Sequence, residues 1–133
     1  MGSRIGRAQG LCHTFLVTTV LIVDDHPSFR ATARALLEAE GFSVVGEAVD
    51  GSAALRSAGE LHPDLVLLDV QLPDTDGFAV AAVLTARANG HAPVVVLTSS
   101  RDADDFGELV SASGARGFVP KAELSGAALS ALL

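Results

Sequence analysis

The sequence contains no Trp and no Tyr, and Cys, Met and Lys occur once each. The lone Cys12 can neither staple a fold nor build a thiolate zinc site. A chain so poor in cysteine is expected in a reducing cytoplasm. Basic residues are scarce too: 9 against 16 acidic, for a formal net charge of −7. Direct nucleic-acid binding normally needs a basic face, so it is not expected of these residues. No apolar run reaches the roughly 18 residues that a membrane-spanning helix requires. What the chain does have is apolar side chain, 49% of 133 residues. That suffices for the core of one domain and is too much for a disordered polymer.

Residues 1–18 read as an N-terminal extension, expected to be flexible, and residues 19–133 as the domain. Arg4 and Arg7 precede an apolar stretch, as in a secretory leader. His13, Thr14, Thr18 and Thr19 break that stretch and no small-residue cleavage site follows. The leader reading is therefore rejected.

Val20–Val23, Leu65–Leu68 and Val94–Leu97 are short apolar runs, mostly β-branched or Leu. Such runs suit strands buried on both faces. Phe42–Val49 and Gly117–Val119 are weaker and suit edge strands. Helical patterns alternate with them. Pro27–Glu40 sets Phe29, Ala33, Leu36 and Leu37 on one face, with Pro27 in its first turn and Gly41 as its stop. Ser52–Glu60, Gly77–Asn89, Ala103–Ser113 and Glu123–Leu133 complete the set. Gly90 is the expected stop of the third helix and Asp102 the expected N-cap of the fourth. Five β-α units make an α/β domain, a parallel sheet with helices on both faces. The expected strand order is 2-1-3-4-5, the flavodoxin-like arrangement, which centres the three strong strands.

Ligands of such sheets bind beyond the carboxyl ends of the strands. There the sequence places Asp24 and Asp25 after strand 1 and Asp69 after strand 3. Thr98, Ser99 and Ser100 end strand 4, and Lys121 follows strand 5. Three converging carboxylates repel one another unless a cation joins them. Oxygen donors with room for water suit Mg²⁺ better than zinc. Lys121 and Thr98 add an ammonium and a hydroxyl near Asp69. Such a group can receive a phosphoryl moiety, with the carboxylate as nucleophile.

With these residues in place, the sequence resembles the receiver domain of two-component response regulators. The stretches that carry the resemblance are LIVDDHP (21–27), LVLLDVQLPDTDG (65–77), VVVLTSS (94–100) and GFVPK (117–121). In detail they look most like the NarL/FixJ, or LuxR-type, subfamily. The resemblance implies a CheY-like fold with Asp69 as phosphoacceptor. It implies Mg²⁺ held by Asp25, Asp69 and the Gln71 carbonyl, with Asp24 acting mainly through water. Thr98 and Lys121 would hold the phosphoryl oxygens, and Phe118 falls where the family places its switch aromatic. Ser99 would leave room for the phosphoryl group. Gln71 and Ser100 stand at the positions that tune dephosphorylation. The implied partners are a sensor histidine kinase, a second receiver on phosphorylation, and a C-terminal DNA-binding output domain outside this chain. The implied role is a regulatory phosphoacceptor, not a turnover enzyme, with no membrane partner.

One position departs from the family. Many receivers carry Pro directly after the active Lys, with a cis bond there. Here Pro120 precedes Lys121 and Ala122 follows it, which leaves open how Lys121 is aimed. Other readings fit less well. A phosphorylation-independent interaction module would usually have lost an acidic residue or the Lys. A haloacid-dehalogenase-like phosphatase would want an acidic residue at Gln71. A flavodoxin would want a Ser/Thr-rich loop after strand 1 and a Trp or Tyr to stack flavin. Asp74 and Asp76 read as a turn and helix start, since the later ligands of a calcium loop are missing. His26 reads as the residue that opens helix 1.

Overall fold

The β-branched runs become strands and the segments between them become helices. The structure, a computed structural model, describes residues 17–86, 92–100 and 106–133. Its strands are β1 (Thr19–Val23), β2 (Ser43–Ala48), β3 (Leu65–Asp69), β4 (Val94–Ser99) and β5 (Gly117–Pro120). Its helices are α1 (Pro27–Ala39), α2 (Gly51–Leu61), α3 (Gly77–Thr85), α4 (Gly107–Ala112) and α5 (Gly126–Ser130). The sheet runs β2-β1-β3-β4-β5, with every pairing parallel. This is the expected order, and the two weaker strands take the edges.

The pleat divides each central strand between two cores. Leu21, Val23, Val66, Leu68, Val95 and Leu97 face one side, against Ala54, Ala58, Val80 and Leu84 of α2 and α3. Val20, Ile22, Leu65, Leu67 and Val96 face the other, against Ala33 and Leu37 of α1 and Leu129 of α5. Burial on both faces is why these strands read as continuous apolar runs instead of alternating ones.

Several helix ends differ from those the sequence pattern predicts. α2 starts at Gly51 because the Asp50 carboxylate caps the Ala53 N–H at 2.8 Å. It ends where His62 turns left-handed at φ 48°, just before Pro63, which bars the residue ahead of it from the helical region. α5 does not begin at Glu123. Lys121–Glu123 form a single 3₁₀ turn, Leu124 is extended, and Ser125 caps the Ala128 N–H at 2.9 Å. A serine cap holds the chain in an extended conformation at the cap itself, so the helix starts only at Gly126. α3 is helical to Thr85; residues 87–91, with Gly90, lie outside the described residues. So do Asp102 and Ala103, the expected start of α4, and most of the N-terminal extension.

Gly77 positions the site through its lack of a side chain. Its N–H donates to the Val70 carbonyl at 2.7 Å, which seats the start of α3 on the end of β3. A Cβ there would run into the Asp69 carbonyl and stand 2.9 Å from Val70 Cα. Gly77→Ala is expected to cost about 1–3 kcal/mol through forced backbone displacement. Urea denaturation of the variant beside the parent checks this, and an unchanged midpoint would refute it.

Candidate functional site

Register places the site. Val23 pairs with Leu68, so the next residues, Asp24 and Asp69, come side by side at the carboxyl edge of the sheet. Asp69 pairs with Thr98 across β3 and β4. Ser99 pairs with Pro120, which delivers Lys121 to the same edge. The Asp24 N–H donates to Ala48 O at 3.0 Å and the Val70 N–H to Thr98 O at 2.9 Å, so the strand pairing continues into the site.

Asp24 and Asp69 are buried, whereas the Asp25 side chain is 37% exposed. The Lys121 ammonium lies 2.7 Å from Asp24 Oδ2 and 3.4 Å from Asp69 Oδ2. Asp24 Oδ1 accepts from the His26 N–H at 2.8 Å and lies 2.9 Å from His26 Nδ1. His26 Nδ1 also comes within 3.2 Å of Asp25. The Gln71 N–H donates to Asp69 Oδ1 at 3.2 Å. Thr98 Oγ1 is buried beside this group and has no hydrogen-bond partner among the described residues. Ser99 is buried and Ser100 exposed.

Burial drives the two buried carboxyls the same way, and their partners separate them. For Asp24 the penalty of burial is overcome by Lys121 and by the His26 N–H, so its carboxyl is held below the usual range. For Asp69 burial dominates and the neighbouring Asp24 charge adds to it, pushing its carboxyl up to about 6. Unequal environments therefore make Asp24 the firmly charged member and Asp69 the costlier anion.

Asp24, Asp25, His26 and Asp69 each present one ligand atom, all within 4.8 Å of one another. The carboxylates are hard oxygen donors on a partly open edge, a set that fits Mg²⁺. The residues singled out in the sequence thus come together: Asp24, Asp25, Asp69, Gln71, Thr98, Ser99 and Lys121 share one edge. Phe118 does not point its chemistry there. It is half-buried opposite Leu97, in a row of rings, 5.7 Å from Phe106, which lies 5.6 Å from Phe78. Asp74 accepts from the Gly51 and Ser52 N–H groups at 2.8 and 3.0 Å, and Asp76 caps the Ala79 N–H at 2.8 Å. Both acidic residues serve the loop and helix starts, as expected.

Pattern reading missed two residues in the first turn of α1. The Phe29 ring lies under the Lys121 ammonium, 4.5 Å from centroid to Nζ. Arg30 donates to the Asp24 carbonyl at 2.8 Å and to Glu47 at 2.9 Å. Arg34 holds the other Glu47 oxygen at 2.9 Å. Closeness to the acidic pair in sequence was the available signal; Phe29 looked like one more core position.

The described helices include none long and apolar enough to cross a membrane. The family model of the response regulator receiver domain matches residues 20–132. The DNA-binding response regulator MtrA of Mycolicibacterium smegmatis is 44% identical over 104 residues, 77% of this chain and 43% of its own length. The DNA-binding transcriptional activator EvgA of Escherichia coli is 31% identical over 103 residues, 77% of this chain and 50% of its own. The crystal structure of a LuxR-family two-component response regulator from Aurantimonas superposes with a TM-score of 0.75 at 30% identity, covering 87% of this chain and 85% of that one. The chain spans about half the length of the curated relatives it matches, 51% and 49% for two others.

Proposed function

Because the chain belongs to the response regulator receiver domain family, we propose that residues 19–133 act as a phosphorylation-dependent switch of a two-component phosphorelay. The observation that carries this is the surround of Asp69: the Lys121 ammonium at 3.4 Å and a buried Thr98 hydroxyl that lacks a partner among the described residues. A buried hydroxyl left unsatisfied is costly. A phosphoryl oxygen on Asp69 would accept from it.

The reaction follows from these positions. An Asp69 carboxylate oxygen attacks the phosphorus of a phosphohistidine on a sensor kinase. A P–O bond forms, the P–N bond breaks, and its electron pair leaves with the imidazole. Lys121 and Thr98 stabilise the charge on the equatorial oxygens. Asp24, Asp25, Asp69 and the Gln71 carbonyl would hold Mg²⁺, which supplies further positive charge against those oxygens. Thr98 then draws toward the phosphoryl group, and Phe118 repacks within its row of rings, altering the face made by α4, β5 and α5. That face pairs with a second receiver or releases an output domain. The DNA-binding relatives support transcription as the output.

Intact-mass spectrometry after incubation with acetyl phosphate and Mg²⁺ tests the reading. The expected result is a gain of one phosphoryl group that disappears with a chelator and in Asp69→Ala. A folded protein that gains nothing would overturn it and point to a phosphorylation-independent interaction module.

A further inference from the structure

We infer that Phe29 is the positioning residue that aims Lys121, holding the ammonium over its ring between the two buried carboxylates. The inference rests on the switch reading above for its consequence, and on geometry alone for the contact. Lys121 projects from a 3₁₀ turn that follows Pro120 directly, and Ala122 comes after it. No proline on its far side stiffens the turn. Its side chain is only 18% exposed, so some fixed surface must replace the water it loses. Among the described residues three groups surround the ammonium: Asp24 at 2.7 Å, Asp69 at 3.4 Å and the Phe29 ring at 4.5 Å.

The three hold it in different ways. A carboxylate hydrogen bond is directional and draws the ammonium to one oxygen. Asp24, at 2.7 Å against 3.4 Å, draws it away from Asp69. The face of an aromatic ring attracts a cation without selecting a direction within the plane. The ammonium can therefore slide from Asp24 toward a phosphoryl group on Asp69 without leaving the ring. Phe29 can serve as such a platform because it is itself fixed: it packs against the α1-side core formed with Leu37 and Leu129. Leu at the same place would fill the space and give the cation nothing.

Lys121 is the sole lysine, so selective ¹³C,¹⁵N-lysine labelling gives one side-chain signal set without assignment. In the metal-free protein the Lys121 Hε signals are expected upfield of their ordinary position through the ring current of Phe29. In Phe29→Leu they should return to it. Acetyl phosphate uptake should slow by about three- to tenfold in Phe29→Leu. It should also decline stepwise as Phe29 is replaced by mono- and trifluorophenylalanine, which keep the shape and drain the ring face of negative charge. A merely space-filling Phe29 would leave the fluorinated series flat. Lysine signals unshifted in the parent, or a flat series, would overturn the inference. A parent protein that shows the ring-current shift but takes no phosphoryl group would overturn the switch reading and leave the Phe29 contact standing.

Discussion

Asp69→Asn is expected to make the metal-free protein more stable at pH 7.5 by about 2–3 kcal/mol, while removing the proposed phosphoryl acceptor. The reason is the cost of the Asp69 anion. Burial and the Asp24 charge raise its carboxyl from 3.8 to about 6. A group whose folded-state affinity for protons is raised favours the folded state most below its unfolded value. That advantage is lost as pH rises through the folded value. The stability gap between variant and parent should therefore be small near pH 4, open between about pH 4 and 6, and stay constant above. Mg²⁺ should narrow it, because the ion stabilises the parent's carboxylates and has less to bind in the variant. Urea denaturation from pH 4 to 8 with a chelator, repeated with Mg²⁺, gives both curves. A gap that does not vary with pH would remove the electrostatic account of the site.

Lys121→Met should act in the opposite direction. Among the described residues it leaves the buried Asp24 carboxylate with His26 as its one remaining donor and the Asp69 carboxyl beside it, and removing one partner of a buried pair costs more than the pair contributes. A loss of about 2–4 kcal/mol is expected in the metal-free protein, partly recovered on adding Mg²⁺. The same variant withdraws the cation nearest Asp69. Loss of one preorganised group at a developing charge is worth on the order of 100- to 1000-fold in rate. Acetyl phosphate uptake followed by intact mass should slow by that order even at saturating Mg²⁺. Uptake at the parental rate would exclude Lys121 from the transfer. The two variants thus separate stability from chemistry: one raises stability, the other lowers it, while the first abolishes phosphoryl uptake and the second slows it.

Much of this was legible in the residues. Continuous apolar runs mark strands buried on both faces, and the weaker Phe42–Val49 and Gly117–Val119 mark the edges that β2 and β5 occupy. Asp24, Asp69, Thr98 and Lys121 could be grouped because polar residues at the ends of buried strands have one place to go. The boundaries were less legible. Glu123 looked helical by propensity, but the cap formed by Ser125 starts α5 three residues later, at Gly126. Caps act through single hydrogen bonds, and periodicity averages over them.

What sequence alone determined is the strand order and which side chains reach the carboxyl edge, since both follow from local patterns that repeat along the chain. What only tertiary structure decided is how those side chains are held. The pull of Asp24 on Lys121, the Phe29 ring beneath it and the grip of Arg30 on Glu47 of β2 join elements distant in sequence. Phe29 reads in sequence as an apolar face residue, because its period is that of a core position. Its second role depends on an ammonium delivered from β5, and no pattern within α1 records that.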